Sequence, residues 1–202
     1  MAESTGKVVL IRPGATLYDE QNRVQGILDI PLSERGRDEV ARLAESLAAT
    51  QDKFPLCALY CGPGENVVRT AEILGKALGL KPRRIEELRN IDQGLWQGLQ
   101  IDEIKRRNSK LFRQWIDDPQ TICPPQGETV SSALERVKAA FKSLLRRHQE
   151  GEAFGLVVSE PLARLISCYL KRAPRPHLDE QLPCCGLERI DIPQDLIAGG
   201  FS

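Results

Sequence analysis

Apolar and polar positions alternate between two periods along this chain. Val8-Val9-Leu10-Ile11 is a short apolar run stopped by Pro13-Gly14, which predicts a buried strand ending in a turn. Ser33 then precedes a stretch with Val40, Leu43, Ala44 and Leu47 at helical spacing, so a serine-capped helix is expected. Leu56 to Cys61 predicts a second strand, and Ala71, Leu74 and Leu78 mark a helix that Gly79 would close in the left-handed conformation. Ile85 and Leu88 suggest a short strand or extended edge. Residues 90–127 are irregular, with one or two helices carrying Ile101, Ile104, Leu111 and Trp115. Val130, Leu134, Val137, Phe141 and Leu144 share one face of a long helix. Phe154 to Val158 predicts another buried strand, Leu162, Leu165, Ile166 and Tyr169 a helix, and Leu187 to Ile192 a last strand.

Strands alternating with helices predict an α/β fold, a three-layer α/β/α sandwich around a largely parallel sheet. The length of 202 residues suits one domain over 1–202, and residues about 90–127 read as a cap-like insertion over the pocket. The 28 basic and 28 acidic side chains cancel, which argues against nucleic acid as the main partner because no net positive field gathers phosphates. No apolar run approaches the ~20 residues of a membrane span, and Met1 to Lys7 lacks a signal-peptide apolar region. A soluble, cytoplasmic protein without membrane partners is therefore expected. The six cysteines, Cys57, Cys61, Cys123, Cys168, Cys184 and Cys185, form no C-x-x-C pair and are expected to be reduced and mostly buried. The adjacent Cys184 and Cys185 leave a vicinal disulfide or redox role as a lesser alternative. Two histidines, His148 and His177, are too few for a His-rich metal centre, and neither metal nor cofactor is expected. His148, among Arg146, Arg147 and Gln149, reads as a solvent-exposed helix end; His177 reads as part of a surface turn with Pro174-Arg175-Pro176.

Ligands in open α/β sheets bind beyond the carboxyl ends of strands. Two such ends carry polar residues here: Arg12-Pro13-Gly14-Ala15-Thr16 and Ser159-Glu160-Pro161. They belong to an ordered set with Arg23-x-Gln25-Gly26-x-x-Asp29-x-Pro31-Leu32, Gly36, Arg69-Thr70-Ala71-Glu72, Gly94-x-Trp96-x-Gly98 and Gly127-Glu128. From Leu10 to about Leu170 this set resembles the histidine phosphatase superfamily, the phosphoglycerate-mutase-like enzymes. The resemblance implies phosphoryl transfer or hydrolysis through a phosphohistidine. In the family's Arg-His-Gly motif the histidine attacks phosphorus, two arginines and a second histidine hold the oxygens, and an acid protonates the leaving group.

The resemblance places these roles on residues that do not suit them. The nucleophile falls on Pro13, whose ring nitrogen has no lone pair to attack with. The second arginine falls on Asn66, the proton donor on Asn90 and the second histidine on Glu160; Arg12 alone keeps its family identity. Arg12 and Glu160 together bring no net charge where the family site has about +1. Two unit charges ~4 Å apart interact by about 4 kcal/mol at an effective dielectric of 20, so a phosphate would meet repulsion at Glu160. An internal Arg12–Glu160 pair filling the old phosphate site is expected, with charged atoms within ~4 Å. Cys61 is the best-placed substitute nucleophile, but Gly62-Pro63-Gly64-Glu65 is not a phosphate loop. Trp96 and Trp115 read as core or cap packing.

The expected function is a catalytically inactive member of this fold, a pseudoenzyme retained for binding, regulation or scaffolding, with an unidentified small molecule or protein as partner. Its vestigial pocket would comprise Arg12, Pro13, Gly14, Thr16, Asn66, Asn90 and Glu160, and the candidate binding residues are Arg12, Arg23, Gln25, Gly26 and Arg69. Two alternatives stay open: an enzyme reassigned to acid–base chemistry at Glu160 beside Arg12, and a residual phosphatase or mutase acting on a small phosphorylated metabolite. The oligomeric state is open too.

Overall fold

Side-chain alternation in the first strand, β1 (Lys7–Ile11), sets the layering: Val8 and Leu10 face one helical layer, Val9 and Ile11 the other. The computed structural model describes residues 6–119, 122–148, 151–173 and 182–193, so His177 and the 174–176 turn lie outside the described residues. Within them, β2 (Leu56–Cys61), β3 (Arg83–Arg84), β4 (Ala153–Val157) and β5 (Leu187–Asp191) join β1 in one sheet of order β3-β2-β4-β1-β5. The pairs β1–β4, β2–β4 and β2–β3 are parallel, and β5 lies antiparallel to β1 on the edge.

Helices α2 (Glu34–Thr50) and α3 (Glu65–Leu78) cover the Val9 and Ile11 face with Val40, Ala44, Leu47, Val67, Ala71 and Leu74. Ser33 caps α2, its Oγ accepting from Gly36 N–H at 3.0 Å, and Gly79 ends α3 at φ 68°. Helices α6 (Val130–Leu145) and α7 (Leu162–Lys171) cover the opposite face, packing Val137, Phe141 and Ile166 against Tyr60, Phe154 and Leu156. This is the expected α/β/α sandwich. Gly36 is required where the turn after β1 meets α2, because a Cβ there would collide with the Ala15 carbonyl.

Residues between β3 and α6 carry a third, smaller core. Helices α4 (Ile101–Arg107) and α5 (Ser109–Asp117) pack Ile104 and Trp115 on Trp96, with Trp115 edge-on to Trp96 at 5.6 Å between centroids. The remaining helix, α1 (Leu17–Glu20), is a single turn after β1. No helix among the described residues is long and apolar enough to cross a membrane.

Three expectations are corrected. The edge near Ile85 is a two-residue strand at Arg83–Arg84 followed by a 3₁₀ turn over Glu86–Leu88. The chain leaves the sheet there because Leu88, 1% exposed, turns into the core. Of the six cysteines, all free, only Cys61 is buried. Cys57 is exposed because it is the extra residue of a bulge: Leu56 and Ala58 pair with the consecutive Ala153 and Phe154. His148 is no exposed helix end. Its ring stacks on Phe154 at 4.7 Å, and its side chain is only 10% exposed, because the chain beyond α6 must fold back over the sheet to enter β4.

Candidate functional site

The carboxyl ends of β1 and β4 open into a cavity of about 920 Å³. The chain reaches it from four directions. Arg12-Pro13-Gly14 leave β1, Ser159-Glu160 leave β4 towards α7, Asn66 sits in the first turn of α3, and Trp96, Phe112 and Trp115 form an aromatic wall. Of the residues singled out in the sequence, Arg12, Pro13, Gly14, Arg23, Gln25, Gly26, Asn66 and Glu160 line the cavity.

Glu160 stands between two arginines. Its Oε1 lies 3.8 Å from Arg12 Nη1, and its Oε2 lies 3.8 Å from Arg164 Nε, one turn along α7. The expected Arg12–Glu160 approach is therefore present, but the charge count needs correcting. Arg164 follows a proline-led turn and carries no motif, yet its i,i+4 spacing from Glu160 brings it back to the same carboxylate. The trio bears a net charge of about +1, not zero. Glu160 Oε1 is sealed from solvent without a hydrogen bond among the described residues, and burial raises the Glu160 pKa, offset in part by Arg164 and then Arg12.

The segment before β5 fixes Arg12 and Pro13 from behind. Arg12 Nε donates to the Pro183 carbonyl at 3.0 Å, Arg12 N–H donates to Gly186 O at 2.9 Å, and Cys185 N–H donates to Pro13 O at 3.0 Å. Gly186 lies directly under the Arg12 guanidinium, where a Cβ would collide with Nη2. The sequence drew attention to residues 182–186 only through the adjacent Cys184 and Cys185; their hold on Arg12 and Pro13 is made of backbone groups and left no signal.

The other singled-out residues serve internal bonds. The amide of Asn66, 2% exposed, accepts from Gln25 Nε2 at 3.3 Å. Asn90 Nδ2 donates to the carbonyls of Gly26 at 2.9 Å and Glu160 at 2.8 Å, tying two pocket walls from outside the cavity lining. Thr16 also lies off the lining: its Oγ1 accepts from Asp19 N–H at 3.2 Å while its own N–H donates to Asp19 Oδ2, forming the capping box of α1. Arg23 Nη1 donates to Gly98 O at 2.7 Å. Arg69 departs from the expectation. It is exposed on α3, paired with Glu72 at 2.9 Å and turned away from the cavity, because its position on the helix falls on the solvent face.

No thiol near the cavity is prepared for attack. Burial pushes Cys61 up to about 11, and burial with Asp19 and Glu39 pushes Cys184, on the lining, up to about 11 as well. Among the described residues the cavity holds no three His, Cys, Asp or Glu donors close enough to share an ion.

Comparison with known proteins places this geometry. Over 142 residues the chain is 29% identical to phosphoserine phosphatase 1 of Hydrogenobacter thermophilus, covering 70% of this chain and 65% of that one, just under two thirds of the relative's length. It is 29% identical over 187 residues to the probable phosphoglycerate mutase GpmB of Salmonella arizonae, covering 92% of this chain and 84% of the relative. Among solved structures it superposes on a mycobacterial hydrolase with a TM-score of 0.81 at 25% identity, covering 91% and 90% of the two chains. It matches YhfR of Bacillus stearothermophilus with a TM-score of 0.78 at 28% identity over the same shares. The model of the histidine phosphatase superfamily (branch 1) matches residues 8–196, and the chain belongs to that superfamily.

Proposed function

We propose that this protein is a non-catalytic member of its superfamily that uses the cavity, or the surface around it, for binding. One observation carries the reading: the carboxylate of Glu160 lies 3.8 Å from both Arg12 and Arg164, where the family's chemistry needs arginines facing a phosphate. An internal carboxylate already stands beside these cations. Pro13, on the same cavity lining, has no lone pair to offer, so the covalent route through a phosphoenzyme has no attacking atom at that position. Asn90 spends its amide on two carbonyls and has no proton for a leaving group. We place residues 90–127 as a cap whose aromatic wall faces the ligand. Trp96 Nε1–H is sealed within that wall without a partner among the described residues.

A second reading is acid–base chemistry at Glu160, favoured by the direction of its pKa shift. Hydrolysis of a panel of phosphomonoesters, including a chromogenic aryl phosphate, between acidic and neutral pH tests the binding role against residual phosphatase activity. The parent, Glu160→Ala and Arg12→Ala proteins are expected to give equal, background rates. A rate in the parent abolished by either substitution would establish an enzyme and overturn the binding role.

A further inference from the structure

The opposite end of the sheet holds a second cluster of chemically active groups. Cys57 lies on the β2 bulge, His148 just beyond α6, and Glu152 immediately before β4, so three separate segments converge at the amino ends of the parallel strands. Their donor atoms lie within 4.8 Å of one another. His148 Nδ1 is the hub, 3.4 Å from Cys57 Sγ and 3.2 Å from Glu152 Oε2. Bonds of about 2.3 Å to sulfur and 2.0–2.1 Å to nitrogen and oxygen, opened at a tetrahedral angle, separate such donors by about 3.3–3.6 Å. The two separations, 3.4 Å and 3.2 Å, lie within about 0.2 Å of that frame.

The surroundings match a ligand histidine as well. His148 Nε2 lies 3.0 Å from the hydroxyl of Tyr60, which is fully buried, so the second ring nitrogen has the outer partner that fixes a ligating tautomer. The ring is clamped by stacking on Phe154 at 4.7 Å and by the edge of Tyr60 at 5.7 Å. The bulge turns Cys57 out of the β2 alternation, and Cys57 is exposed, which leaves the cluster open to solvent on one side.

We infer that Cys57, His148 and Glu152 form a binding site for one divalent metal ion of the zinc class, with thiolate, imidazole and carboxylate ligands and a fourth position open to water or an exogenous ligand. Sulfur and imidazole together select a borderline ion over magnesium or calcium. On binding, the Cys57 thiol proton leaves to solvent as the sulfur–metal bond forms; no oxidant or reductant is involved. The expectation from sequence is that no metal binds; this site departs from it by using a single histidine together with a thiolate and a carboxylate. It lies across the sheet from the cavity and does not depend on the function proposed there.

The test is cobalt(II) titration of the full chain followed by absorbance, with zinc competition and equilibrium dialysis for stoichiometry. A near-ultraviolet thiolate-to-cobalt band rising to one equivalent, displaced by zinc and lost in Cys57→Ser, is expected, with Glu152→Gln weakening binding at least tenfold. Cys184→Ser should leave the band unchanged. Cys57 is exposed, so Cys57→Ser should fold even if a His148 variant does not, and circular dichroism checks this. No band, or one that survives Cys57→Ser, would overturn the assignment.

Discussion

Glu160 is the residue on which the pocket turns. Burial holds its carboxyl above the ordinary range despite Arg164 and Arg12, so the folded chain binds this proton more tightly than the unfolded one. The sign follows: the group's contribution to stability is fully present below the unfolded carboxylate value and is lost as pH rises through the higher folded value. Glu160→Gln keeps the shape and removes the titration. Relative to the parent, the variant should gain stability as pH rises above the ordinary carboxylate value of about 4.3, read from denaturant midpoints at each pH. A relative loss as pH rises would mean that the arginine pairs outweigh desolvation. Arg12 supplies the second test at this scale. Gly186→Ala would press a methyl group into its guanidinium, and a destabilisation of about 1–3 kcal/mol is expected from denaturant melts. Pro13→His restores an imidazole without the second arginine, the second histidine or the acid around it. Mass spectrometry after incubation with an aryl phosphate should find no phosphohistidine, and finding one would show that the pocket lacks only its nucleophile.

Among the elements, the turn after β3 is held by α6. Arg136 donates from Nε and Nη2 to the Glu128 carboxylate, both at 2.8 Å, and from Nη1 to the carbonyls of Glu87 and Arg89, each at 2.6 Å. Its Nη2 also reaches Asn90 O at 3.1 Å, so it sets the residue that ties the two pocket walls. Both charged side chains are about nine-tenths buried. Arg136→Met leaves Glu128 in place with much of its pairing removed, and a loss of about 3–5 kcal/mol is expected in chemical denaturation. The element scale is also where the sequence was most readable. Short apolar runs and period-3.6 patterns located β1, β2, β4, β5 and the four covering helices, because the central strands are buried on both faces and each helix buries one. The Arg83–Arg84 strand escaped notice because two exposed arginines have no apolar pattern to display.

Taken as a whole, the molecule separates what pattern reveals from what only folding assembles. The frame of the pocket was legible through ordered motifs, and the Arg12–Glu160 approach followed from their relative placement. Arg164 was not legible, since its partnership depends on how the turn before α7 directs the helix; nor were residues 182–186, which act through carbonyls and N–H groups that every residue has. His148 was misread because its partners, Cys57, Tyr60 and Phe154, lie far from it in sequence. The fold thus keeps the family's sheet and helices while the carboxyl end of the sheet holds a carboxylate between two arginines.

That arrangement can be tested by calorimetric titration of inorganic phosphate into the parent protein, Glu160→Gln and the Glu160→Gln/Arg12→Ala double variant. With Glu160 in place the parent should show no saturable binding. Glu160→Gln leaves Arg12 and Arg164 facing the cavity, so phosphate should then bind, and should be lost again in the double variant. Saturable phosphate binding to the parent that Arg12→Ala abolishes would contradict the account, because the two arginines would then be serving a phosphate and not Glu160.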